Sequence, residues 1–131
     1  MFTLEFQGKP IAWKRARRRG KRYFDTQLED KIKYQMVAKL QMEGVEAFIN
    51  PISLFFRFNM PIPPSRPKKW RQNAPGMGHV FTPDLDNLVK FMGDALNGIV
   101  WEDDKLIYEI KAQKIYAEKP STLLEVYAYD E

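Results

Sequence analysis

The chain reads as one α+β domain, a mixed β-sheet with two helices packed on it, in the order β-α-β-α-β-β. Three observations carry that reading. Four stretches alternate apolar and polar residues, the period of a half-buried strand. Two longer stretches carry apolar residues at steps of three and four, the period of an amphipathic helix. Strands and helices also interleave along the chain, which suits a sheet covered by helices. At 131 residues, one domain spans 1–131, small enough that a partner subunit helps to bury apolar surface. No apolar run is long enough to cross a bilayer, and Met1-Phe2-Thr3-Leu4-Glu5-Phe6 lacks the basic start and apolar core of a signal peptide. With no cysteine there is no disulfide framework, so a cytoplasmic protein without a membrane partner is expected.

Each element has its own signal. Phe2, Leu4 and Phe6 alternate with polar residues as a first strand, broken at Gln7-Gly8-Lys9-Pro10. The run 13–23 follows, with Lys14, Arg15, Arg17, Arg18, Arg19, Lys21 and Arg22. It is too dense in like charge to fold tightly alone, so it is expected as a mobile arm that orders against phosphates. Thr26-Gln27-Leu28-Glu29 has the form of a capping box. Leu28, Ile32, Met36 and Leu40 then mark a helix from about Gln27 to Glu43, stopped by Gly44. Ile52, Leu54, Phe56, Phe58 and Met60 alternate as a well-buried second strand.

Prolines crowd the segment 61–82, which predicts a long loop without regular structure. Its Arg66, Lys68, Lys69, Trp70 and Arg71 combine charge with a flat ring, a combination that suits phosphates and an unstacked base. Trp70 has an equally plain use as an anchor pinning the loop to the core, and His79 stands alone in its loop. Further on, Leu106 to Tyr116 and Thr122 to Tyr129 read as two strands, with Tyr108, Ile110 and Ala112 on one face of the first.

The segment 83–105 carries the chemistry. Pro83 and Asp84 start a helix whose apolar face is Leu85, Leu88, Val89, Met92, Ala95 and Leu96. The opposite face carries Asp86, Lys90, Gly93, Asp94 and Asn97. Asn97-Gly98 ends the helix, and Trp101-Glu102-Asp103-Asp104 follows so closely that Asp103 or Asp104 is expected to swing back toward Asp84 and Asp86. Taken singly, these residues have structural uses: Asp84 as an N-cap, Asp86 with Lys90 as an i,i+4 pair, Asp103-Asp104 as a polar turn. Together they repel unless a cation neutralises them. With no cysteine and one histidine, a zinc site of thiolates or imidazoles is excluded, leaving Mg²⁺ or Mn²⁺ held by carboxylates.

The run Pro83-Asp84-Leu85-Asp86-Asn87-Leu88-Val89-Lys90, then Asp94-Ala95-Leu96-Asn97-Gly98, then Trp101-Glu102-Asp103-Asp104, resembles the signature of the RusA Holliday-junction resolvases. That resemblance implies a small, homodimeric, Mg²⁺-dependent endonuclease of phage and prophage origin that cuts four-way DNA junctions symmetrically in recombination and repair. It makes Asp84, Asp86 and Asp104 the metal ligands and Lys90 the catalytic lysine. Asp94 is then expected to fix Lys90 or a ligand's orientation, Asn87 to hydrogen-bond at the helix start or neighbour the ligands, and Asp103 to support the acidic pair. Symmetric cutting needs two sites about a two-fold axis. No organic cofactor is expected. The residues themselves leave two other readings open: a nucleic-acid-binding module in which the aspartates are structural, and a metal-dependent nuclease on other branched or single-stranded DNA.

Overall fold

The computed structural model describes residues 1–129. Four strands form the main sheet: β1 (Phe2–Gln7), β4 (Ile52–Pro61), β5 (Ile107–Ala117) and β6 (Ser121–Ala128). Between β1 and β4 the chain forms a small hairpin of β2 (Arg17–Arg19) and β3 (Arg22–Phe24), then helix α1 (Leu28–Gln41). Between β4 and β5 it forms α2 (Lys68–Asn73) and α3 (Leu85–Leu96), then a 3₁₀ turn at Asp104–Leu106. The sheet order is β1-β6-β4-β5; β4 and β5 run parallel and the other pairs antiparallel, so the sheet is mixed as expected.

One face of the sheet carries the core. Ile52, Leu54, Phe56, Phe58 and Met60 of β4 are fully buried, with Leu124 and Val126 of β6 beside them. Helices α1 and α3 cover that face. On α3 the buried set is Leu88, Phe91, Met92, Ala95 and Leu96; Leu85 and Val89 are half-buried at its edge. Three rings connect the layers: Phe6 of β1 stacks on Tyr34 of α1 at 5.1 Å, and Tyr34 meets Phe91 of α3 edge-on at 5.3 Å. Such pairs add directional contact to the burial of apolar area.

The two helices run parallel. Their first turns both lie near Trp13, through Gln27 at the start of α1 and Asn87 at the start of α3. Tyr34 and Phe91 then meet midway along both helices. Gln41 at the far end of α1 exchanges hydrogen bonds with the Glu5 backbone.

Several expectations are corrected. The basic run 13–23 is not a featureless arm: Arg17–Arg19 pair with Arg22–Phe24 across a turn in which Gly20 takes φ 62°. Glycine adopts that angle without strain. The proline-rich segment is not wholly irregular either. Pro67 sits at the N-cap of α2, where a missing amide proton costs nothing, so there are three helices instead of two. The capping box at Thr26 is absent; Gln27 occupies the N-cap position of α1 without a side-chain cap bond. Tyr108 is the extra residue where the β4–β5 register shifts, so, against expectation, it does not share a face with Ile110 and Ala112; both Tyr108 and Ile110 are exposed on the edge strand β5.

A further feature of α1 is the exposure of its apolar row. Leu28, Ile32, Met36 and Leu40 are 56%, 43%, 60% and 73% exposed, whereas Tyr34 and Ala38 face the core. The ring contacts at the centre of the core set one testable value. Phe91→Ala removes the link between α1 and α3 and is expected to destabilise the fold by about 3–5 kcal/mol, read from the denaturant midpoint.

Candidate metal and nucleic-acid site

Helix α3 starts at the surface because its apolar face only begins to bury at Leu88. Asp84 occupies the N-cap position in extended conformation, yet its side chain makes no cap bond, so its carboxylate is not used by the helix. Asp86 accepts a hydrogen bond from the Asn87 amide at 2.9 Å. Both acids are exposed at the positive end of the helix dipole, which favours negative charge there. The preceding loop is tied down from β5, where the Lys114 ammonium donates to the carbonyls of Phe81 and Pro83.

Asp104 is held elsewhere. Trp101 is fully buried, and its indole Nε1 donates to Asp104 Oδ1 at 2.7 Å. Trp101 in turn forms backbone bridges with Asn97, at the C-terminal end of α3, and with Phe48. The turn after α3 is therefore as short as expected, but it closes at the far end of the helix. A helix of 12 residues spans about 18 Å, and the backbone of Trp101, whose side chain holds Asp104, is tied to the end of it remote from Asp84 and Asp86. The expected return of Asp104 toward those two acids is not made within one chain. Among the described residues, no three acidic or imidazole side chains gather closely enough to hold an ion. Asp103 caps the 3₁₀ turn through the Lys105 amide at 3.0 Å.

Lys90 lies one turn beyond Asp86. Its Nζ sits 3.6 Å from the centroid of the Trp13 ring. Asp94 is exposed, and no ion pair joins it to Lys90 among the described residues. Asn87 contributes its backbone, since its carbonyl accepts from the Trp13 amide at 2.8 Å.

The donor chemistry suits a hard cation, because every candidate ligand is a carboxylate oxygen and no thiolate competes. The chain offers Asp84 and Asp86 at the start of α3 and an oriented Asp104 beyond its end.

Basic residues flank the first of these ends. A groove of about 940 Å³ is lined by Lys9, Lys14, Arg15 and Arg17, with one acid, Asp30, and by Thr82 and Pro83 directly before Asp84. Arg18, Arg19, Lys21 and Arg22 continue the exposed basic surface along the hairpin. On α2, Lys68, Lys69 and Arg71 are exposed, but Trp70 is half-buried and meets Tyr116 edge-on at 5.3 Å. Arg66 stacks on Trp70 at 4.6 Å, so this ring anchors the loop. His79 lies against Tyr116 at 4.9 Å; burial, then the nearby Lys114 charge, pushes its pKa below the ordinary histidine value.

Sequence reasoning missed Trp13, Gln27 and Lys114. Trp13 was hidden in a basic run, Gln27 in an apparent capping box and Lys114 in a strand, and none carries a local signal of its role.

The family Endodeoxyribonuclease RusA matches residues 7–127. A relative from Bacillus subtilis (strain 168), Uncharacterized protein YqaN, is 30% identical over 122 residues, covering 86% of this chain and 86% of the relative. That family match takes in the acidic start of α3, the Trp101–Asp104 turn and the basic hairpin alike, and the chain belongs to the RusA endodeoxyribonuclease family.

Proposed function

We propose that this protein is a Mg²⁺- or Mn²⁺-dependent endodeoxyribonuclease that resolves four-way DNA junctions by paired symmetric cuts. Asp84 and Asp86 of one protomer, with Asp104 of a second, hold the divalent ion. When bound, the ion supplies positive charge against the scissile phosphate and lowers the pKa of a water molecule. The chain's own residues do the rest. Trp101 fixes one oxygen of the exposed Asp104 and leaves the other for the ion. Lys90 offers an ammonium on the same helix, one turn from Asp86, for the charge developing on a phosphate oxygen. The groove of Lys9, Lys14, Arg15 and Arg17, extended by the hairpin and by Lys68, Lys69 and Arg71, seats DNA by its backbone. The lack of cysteine is in keeping with action in a bacterial or phage-infected cytoplasm.

The single observation that carries the two-chain site is the placement of the acids at opposite ends of α3. A two-fold axis that sets two copies antiparallel brings the Asp84 end of one beside the Asp104 end of the other. The exposed row on α1 supports that arrangement, because α1 runs parallel to α3 and packs on it. Pairing α1 antiparallel with its copy buries Leu28, Ile32, Met36 and Leu40 in a self-complementary contact. Charge agrees, since the first turn of α1 is acidic, with Glu29 and Asp30, and the last is basic, with Lys39.

Three outcomes test this reading. On a labelled four-way junction with Mg²⁺, the protein makes paired nicks. Asp86→Asn lowers that rate on the order of a hundredfold or more while junction binding persists, whereas binding without nicks for the unaltered chain would sink the nuclease. Asp86→Asn and Asp104→Asn chains, each inactive alone, regain nicking when mixed, because a mixed dimer holds one intact site. A site within one chain predicts no recovery. Met36→Lys places a charge in the paired helices and shifts the protein from dimer to monomer in sedimentation; a variant that stays dimeric excludes α1 as the interface.

A further inference from the structure

Trp13 is not among the residues that the resemblance makes functional, yet among the described residues its ring is the contact that holds Lys90, which makes no ion pair there. Its ring face lies 3.6 Å from the Lys90 ammonium. The backbone around it is fixed with unusual care. The Trp13 amide donates to the Asn87 carbonyl at 2.8 Å, which locks this segment to the first turn of α3. The residues on either side are bracketed by one buried side chain: Gln27, 3% exposed, donates from Nε2 to the Ala12 carbonyl at 2.8 Å and accepts from the Lys14 amide at 2.9 Å. Gln27 is itself held, its own amide donating to Asp25 Oδ1 at 2.8 Å. A buried glutamine using both ends of its amide on the neighbours of one tryptophan defines where that ring stands.

We propose that Trp13 is a positioning residue for Lys90, and that Gln27 is the buried bracket that sets Trp13. The proposal rests on the nuclease reading for its consequence in catalysis, though not for the contact itself. A lysine carries a compact charge on a flexible stem of four carbons, so an unconstrained Lys90 samples many directions. An ion pair with Asp86 or Asp94, each four residues away, is the ordinary restraint on a helix. It would neutralise the ammonium and occupy a carboxylate. The electron-rich face of an indole restrains the same cation without cancelling its charge. Lys90 is thus aimed without an ion pair to Asp86 or Asp94. Gln27 also joins this arrangement to the DNA groove, because it lines the groove with Lys14 and Arg15.

The test uses the full chain labelled with ¹³C-lysine. In the unaltered protein one lysine shows ε-methylene protons shifted upfield by the ring current, and Lys90→Gln removes that signal. Trp13→Leu returns it to the ordinary position, and Trp13→Phe, which keeps a ring and the packing, retains part of the shift. On a four-way junction at saturation with Mg²⁺, Trp13→Leu lowers kcat on the order of tenfold with KM and metal-free junction binding unchanged, and Trp13→Phe stays within about threefold. In a Lys90→Gln background, Trp13→Leu costs nothing further. No upfield lysine in the unaltered protein, an equal loss in the Lys90→Gln background, or a loss confined to KM overturns the proposal. If the unaltered chain cuts nothing with Mg²⁺ or Mn²⁺, the nuclease reading fails, and the lysine spectrum still decides whether Trp13 holds Lys90.

Discussion

The burial of α3 against the sheet is the constraint on which the rest depends. Leu88, Phe91, Met92, Ala95 and Leu96 are removed from water together, and the helix has no freedom to rotate without exposing them. That fixes which residues look outward, so Asp86, Lys90 and Asp94 face solvent as a consequence of core packing. It also fixes where the helix begins and ends. Its start carries Asp84 and Asp86; its end carries Trp101, whose fully buried indole reaches out to orient Asp104. Chemistry at either end is therefore set by apolar contacts in the middle.

Much of this was legible in the sequence, and the reasons differ by element. The strands β1, β4 and β6 and the helix α3 could be read because their periodicity records which face is buried, and burial is what forms them. The apolar row Leu28, Ile32, Met36, Leu40 also marked a helix correctly, but it marked the exposed face; a period gives the existence of a stripe and not what covers it. The basic hairpin was hidden because like charges argue against compaction, whereas pairing of Arg17–Arg19 with Arg22–Phe24 needs only backbone bonds and a glycine turn. Helix α2 was hidden by its prolines, which are tolerated before a helix though not within it. Of the candidate site, spacing marked the acidic cluster around α3, while the choice of Asp104 over Asp103 and the role of Lys90 came from the family resemblance. The partners that hold them, Trp101 excepted, come from segments remote in sequence: Trp13 and Gln27 from before α1, Lys114 from β5.

The most instructive difference concerns Asp104. Counting residues from Asn97 to Asp104 suggested a return toward Asp84, because a short turn limits how far the chain travels. The same shortness acts in the opposite sense once the helix is built. Twelve helical residues carry the chain about 18 Å, and a turn pinned to Asn97 and Phe48 leaves too little chain to come back. Strand β5 then begins at that same far end, with Ile107 paired to Ile52.

This separation has an electrostatic consequence for the proposed dimer. Massing three carboxylates in one small fold costs repulsion that a bound cation must offset, and the free protomer would carry that cost whenever the ion was absent. Dividing the acids between the two ends of α3 removes it: each protomer folds with two acids at the positive end of a helix dipole and a third hydrogen-bonded to an indole. In the proposed dimer the repulsive set forms only where two copies meet, and there an apolar contact between α1 helices and a divalent ion would both favour the assembly. The lysine follows the same logic at shorter range. Held on Trp13 and not on Asp86, it adds positive charge beside the acids without closing the site before metal and phosphate arrive. Under the proposed reading, assembly of the partner, the ion and the substrate are three steps that complete one charge balance, and the fold of the single chain keeps that balance open.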